Sequence, residues 1–174
     1  TGRISVEDAG LDVPLARSNL HVRAFERLHP AAGIAFRIRS EIPLSAGLGS
    51  SAAAIVAGLL AADHLYELAL ERDQVLAHAA EVEGHPDNVA AALLGGFVLC
   101  SRDGEDIRTT RLDPPQGVEA VLVSPRGEQV PTDEARAAVP AQVAHSDAVA
   151  NVAAASELVL GIERSDLTLI ERGL

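Results

Sequence analysis

PLSAGLGSSAAA, residues 43–54, sets two glycines and a serine pair directly before a long alanine-rich run. Glycine-rich turns that open a helix hold phosphate well, because unpaired backbone N–H groups and the helix dipole converge there. The familiar Walker loop adds a lysine that reaches the β- and γ-phosphates. This chain contains no lysine at all; its basic residues are all arginine. Two readings therefore stand side by side. The stretch is either a serine-capped helix start after a glycine turn, or a phosphate grip built from backbone amides. Gly47 and Gly49 allow backbone conformations that turn successive N–H groups inward. Ser50 and Ser51 fall at the first helical positions, where hydroxyls and unpaired N–H groups both face an incoming anion. A hydroxyl there also suits Mg²⁺, which is content with one or two protein oxygens plus phosphate.

Working outward, the alternation in GIAFRIRSEI puts Ile34, Phe36 and Ile38 on one side and Arg37 and Arg39 on the other, a half-buried strand. Before it, Ser18 is the expected N-cap of a short helix through NLHVRAFERL. After the loop, helices are expected from about Ser50 to Glu67 and from about Asp73 to Glu83, the second closed by Gly84. Pro86 suits the first position of a third helix, running through Leu94. GGFVLCS then reads as a strand leaving a tight turn, and VEAVLVSP as a short buried strand. The polar segment DGEDIRTTRLDPPQG, with Pro114 and Pro115 near its end, is the expected domain boundary. Helices are expected over TDEARAAV, from about Ser146 to Glu163, and over DLTLIERGL.

The core must be aliphatic, since 48% of the chain is hydrophobic but only 2% aromatic. A formal net charge of −11 argues against a nucleic-acid partner or an anionic membrane surface. Any phosphate site must then be local. The single cysteine, Cys100, excludes an internal disulfide framework and is read as a buried core thiol. Asp63 and His64 interrupt the longest apolar run, so no spanning helix is expected and the chain reads as soluble and cytoplasmic. It begins at Thr1, contains no methionine and stops after a helical pattern, which reads as part of something longer.

Three further groups bear on chemistry. In EVEGHPDN, Glu83 or Glu81 could supply a carboxylate to a metal; a carboxylate at a helix C-terminus opposes the dipole and so suits a cation partner. Asp87 and Asn88 read equally as caps of the following helix, and His85 as a turn residue. Thr132 and Arg136 are four apart, hence on one helical face. Thr132 is a natural cap, and Arg136 is either a surface charge or a planar clamp for a carboxylate or phosphate.

Taken in order, these pieces resemble the GHMP kinases, whose phosphate loop reads P-x-x-x-G-L-G-S-S-A-A and lacks a Walker lysine. EGHPDNVAAALLGGF is similar to the homoserine kinase branch of that family, as are VPLARSNLHVRAF and TDEARAAVPAQVAHSDAVANV. The resemblance implies an α+β, two-domain GHMP kinase fold: an ATP-binding domain over 1–116 and a ferredoxin-like domain over 117–174, incomplete at the chain's two ends. It implies ATP- and Mg²⁺-dependent phosphorylation of L-homoserine to O-phospho-L-homoserine, in threonine biosynthesis. Pro43, Leu44, Ser45, Ala46, Gly47, Leu48, Gly49, Ser50, Ser51, Ala52 and Ala53 would form the nucleotide site, with Asn19 near the adenine. Ser51 and Glu83 would hold Mg²⁺, with Glu81 the competing carboxylate. Asn88, where other branches carry an aspartate, would orient the substrate, and Thr132 and Arg136 would serve the acceptor, with Arg136 on its carboxylate. Dimers occur in the family. The alternatives are a kinase for another small alcohol, or a nucleotide-binding module without catalysis.

Overall fold

The computed structural model describes residues 5–8, 14–44, 47–119, 121, 123 and 132–174; of 5–8, 132 and 133 it describes the backbone alone. The chain divides into two compact units, Thr1–Thr110 and Arg111–Leu174.

In the first unit, β1 (Ser5–Asp8) pairs in parallel with β2 (Ala35–Ile38), Val6 opposite Phe36. Between them runs α1 (Leu20–Leu28), so the pair is a βαβ unit. The loop leads into α2 (Ser50–Tyr66), followed by α3 (Arg72–Glu83) and α4 (Asp87–Leu94). A hairpin of β3 (Phe97–Asp103) and β4 (Asp106–Leu112) follows.

Helix α2 is the hub. Its Ala52, Ile55, Val56 and Leu59 meet Val75, Leu76, Ala79 and Ala80 of α3 and Val89 and Ala90 of α4 in one buried cluster. A second cluster joins Ala62 to Val22, Phe25, Ala31 and Ile38. Phe25, Phe36 and Tyr66 gather here: the Phe25 ring meets Phe36 edge-on at 5.2 Å, within the range where such pairs attract. Alanines and Gly58 let α1 and α2 cross closely. A Cβ at Gly58 would lie 2.3 Å from the His21 carbonyl oxygen and 2.9 Å from Ala24 Cβ.

The second unit holds α5 (Thr132–Ala137), α6 (His145–Arg164) and α7 (Leu167–Gly173). Helix α7 is capped by Asp166, whose carboxylate accepts from the N–H groups of Thr168 and Leu169. It lies against α6, where Gly161 leaves no room for a side chain beside Ile170. Among the described residues, no helix is long and apolar enough to cross a membrane.

Several expectations need correction. The cap of α1 is Asn19, not Ser18, because the Asn19 side chain accepts from the His21 N–H while Ser18 is exposed. Helix α4 starts at Asp87 with Pro86 as its cap, one residue later than expected. Strand β1 was not anticipated. Much of the segment expected as the domain boundary is β4, turned back at Gly104 by an Asp-Gly pair of the kind that favours tight hairpins, and the division between the two units falls within that segment. Of VEAVLVSP, expected as a buried strand, Val118, Val121 and Val123 are exposed and in no strand, while Ala120, Leu122, Ser124 and Pro125 lie outside the described residues. Cys100 is half-buried on β3 at the edge of the first cluster, not enclosed by it.

Candidate active site

The loop reaches α2 through two residues in the left-handed region, Gly47 at φ 72° and Gly49 at φ 71°. Gly49 is itself the N-cap of α2, and it offers no side chain to satisfy the first N–H groups. A helix start of that kind leaves its first N–H donors to water or to an anion. An added Cβ at either glycine would meet no atom within 4 Å, so backbone conformation, not space, makes glycine necessary there. Ser50 and Ser51 begin the helix, half-buried, as the spacing predicts. Pro43, Leu44 and Leu48 are exposed, and Ala53 is half-buried on the first turn. Ala52 is fully buried in the core cluster. Ser45 and Ala46 lie outside the described residues.

Ser51 Oγ donates to Glu83 Oε1 at 2.7 Å, bringing the last residue of α3 to the first turn of α2. Glu81, the competing carboxylate, is exposed and ion-paired with Arg27 of α1. Among the described residues, no group of three or more His, Cys, Asp or Glu side chains is placed to hold a metal. One carboxylate and one hydroxyl beside a glycine loop fit Mg²⁺, which takes few protein oxygens and completes its shell with phosphate and water.

A pocket of about 390 Å³ opens beside this pair. Ser50, Ser51 and Ala54 line it from α2, Ser40 and Leu44 from the approach to the loop, and Pro14, Ser18, Asn19, Leu20 and His21 from the start of α1. Asn19 and the loop serines, 31 residues apart at Ser50, thus border one cavity. Asn19 is only 1% exposed and heavily committed. Its Oδ1 accepts from the His21 N–H at 2.9 Å and lies 3.1 Å from His21 Nδ1, while its Nδ2 donates to the Pro14 carbonyl at 2.9 Å. His21 was not singled out in the sequence. Burial holds its imidazole below the ordinary value of 6.5, since the charged form loses hydration there. The signal was present: a histidine two residues after an Asn cap is within reach of the cap's own oxygen.

Asn88 is exposed on the first turn of α4. Beside it, His85 Nδ1 lies 2.7 Å from Asp87 Oδ1, which also accepts from the Asn88 N–H. Arg136 is exposed on α5 in the second unit; Thr132 opens that helix, but its side chain lies outside the described residues.

Residues 19–96 match the family described as GHMP kinases N terminal domain. The chain is 37% identical to the homoserine kinase of Leuconostoc mesenteroides, over 92% of this chain and 55% of that protein. It is 42% identical to the homoserine kinase of Carboxydothermus hydrogenoformans, over 79% of this chain and 45% of that one. The crystal structure of homoserine kinase from Cytophaga hutchinsonii superposes with a TM-score of 0.75 at 30% identity, covering 99% of this chain and 59% of its own. The chain spans about half the length of the curated relatives it matches.

Proposed function

We propose that this chain, a member of the GHMP kinase family through its residues 19–96, forms the nucleotide-binding core of an enzyme that phosphorylates L-homoserine. The acceptor's side-chain oxygen attacks the γ-phosphorus of ATP, the bond from that phosphorus to the β–γ bridging oxygen breaks, and ADP leaves with the electron pair. The product is O-phospho-L-homoserine, for threonine biosynthesis. The observation that carries this reading is the Ser51–Glu83 hydrogen bond at the mouth of a left-handed glycine loop, beside a pocket of nucleotide-compatible size.

Each group then has a task. The N–H groups from Gly47 to Ser51 cradle the triphosphate in place of a lysine. Ser51 and Glu83 would hold Mg²⁺, which when bound neutralises charge on the phosphate oxygens. Asn19 shapes the pocket wall beside the base. Asn88 orients the acceptor; an amide is no useful base, so the hydroxyl proton passes to a γ-phosphoryl oxygen. That route is adequate because phosphoryl transfer depends mainly on positioning and charge stabilisation. Arg136 and Thr132 serve the acceptor, with the Arg136 fork on its carboxylate. The division after Thr110 supports a two-domain arrangement, an ATP-binding domain followed by the start of a ferredoxin-like one. An ATP-consuming biosynthetic step supports a cytoplasmic location.

Calorimetric titration with a non-hydrolysable Mg²⁺·ATP analogue tests the reading, with Gly49→Asp beside the parent chain. The variant puts a β-carbon and a negative charge where left-handed backbone and phosphate are needed. Saturable binding that the variant abolishes is expected. Equal binding by both would remove the nucleotide from the loop. Phosphate transfer to homoserine, lost in Asn88→Ala with nucleotide binding intact, tests the acceptor assignment.

A further inference from the structure

We propose that Asp87 is a positioning residue for this site: its carboxylate fixes the His85 imidazole in one tautomer and holds Asn88 at the start of α4. The task of Asn88 rests on the phosphoryl-transfer reading above; the clamp itself does not.

Asp87 Oδ1 meets two neighbours at once, His85 Nδ1 at 2.7 Å and the backbone N–H of Asn88 at 2.7 Å. An ionised carboxylate can only accept, so Nδ1 carries the proton. In neutral His85 the other ring nitrogen, Nε2, is then left as a bare acceptor. The His85 side chain is 18% exposed and that of Asp87 54%, so the pair sits where the turn meets solvent. On β3, burial raises the Cys100 thiol, and the Asp87 charge raises it further. One side chain thus joins the turn before α4 to the first turn of α4.

An aspartate in a first helical turn also benefits from the dipole. If that were its whole role, replacing it would lower stability alone. A clamp makes a different prediction, because releasing it frees the ring to change tautomer and lets Asn88 shift against a bound acceptor. Misplacing a positioning group by about 1 Å costs up to about 100-fold in rate.

The test compares the parent chain with Asp87→Asn and Asp87→Ala. Imidazole nitrogen NMR at mildly alkaline pH should report the Nδ1–H tautomer for His85 in the parent and the Nε2–H tautomer in Asp87→Ala. Cys100, the only cysteine in the chain, should react faster with iodoacetamide in Asp87→Asn at the same pH, since more of it is thiolate. Transfer from ATP to homoserine should fall about 10- to 100-fold in kcat in Asp87→Ala, with KM for ATP unchanged. An Nε2–H tautomer in the parent overturns the proposal, as does an unchanged kcat in a variant whose tautomer has switched. A parent chain that does not bind the Mg²⁺·ATP analogue would overturn the proposed function instead, and the tautomer comparison would still decide the clamp.

Discussion

Ser51 Oγ donates to Glu83 Oε1 at 2.7 Å, so a hydroxyl at the start of α2 and a carboxylate at the end of α3, 32 residues apart, share one hydrogen bond. The carboxylate gains no help from its own helix, because the C-terminal end of a helix carries partial negative charge. A cation beside the pair, as proposed for Mg²⁺, would offset that charge. Glu83→Gln keeps the shape and removes the charge. Its affinity for an ATP analogue should fall at least about ten-fold when Mg²⁺ is present and change little without it. Paired calorimetric titrations with and without Mg²⁺ read this, and an equal loss in both would assign the pair to folding.

Asn19 is a structural clasp as well as a pocket wall. Asn19→Ala removes the N-cap of α1 and leaves the Pro14 carbonyl without its side-chain donor. The expected loss of stability is about 2–4 kcal/mol, by urea unfolding. Asn19→Ser should recover part of it by restoring the cap alone. Serine no better than alanine would mean that the Pro14 contact carries the effect.

Gly58 is a close-approach glycine. Alanine there gains helix propensity of up to about 1 kcal/mol. It also drives a methyl into the His21 carbonyl and Ala24. Overpacking of that kind costs about 1–3 kcal/mol, so a lowered denaturant midpoint is expected. Because His21 lies beside the pocket, nucleotide binding should weaken in step. A midpoint that rises would show that α1 and α2 separate without penalty.

His21 links stability to acidity. Its folded value lies below the unfolded value near 6.5, so between the two the unfolded chain binds more protons. The His21 contribution is therefore complete above the unfolded value and is lost as pH falls toward the folded one. Unfolding free energies measured across that window should drop more steeply for the parent chain than for His21→Gln. Parallel curves would exclude His21 as a source of the acid sensitivity.

Much of the first unit was legible in the sequence. The apolar spacing of 50–66, the glycines at 47 and 49 and the closing Gly84 carry their conformations locally, and α2, its left-handed cap and the end of α3 follow. The alternation around Phe36 identified β2. What escaped was decided by partners. Strand β1 is only four residues long and gains its identity from pairing with β2. Strand β4 is polar along most of its length, and Ile107 is the residue that packs against the core cluster. Its hairpin signal, Asp103-Gly104, was outweighed by the prolines that follow.

The choice between Glu81 and Glu83 marks the division most clearly. Sequence alone determined that the glycine loop opens α2 with a serine at its second position, and that α3 ends in two candidate carboxylates. Those properties depend on backbone freedom and on neighbours within a turn or two. Two positions apart on a helix means about 200° around its axis, so α3 could bring only one of the two to Ser51. Only the docking of Val75, Leu76, Ala79 and Ala80 against α2 set that rotation, turning Glu83 to the loop and Glu81 to Arg27. The same holds for Asn19, whose place beside Ser51 follows from how closely Gly58 lets α1 approach α2. Helix phase and helix crossing are properties of a packed interface, and no local stretch of chain contains them.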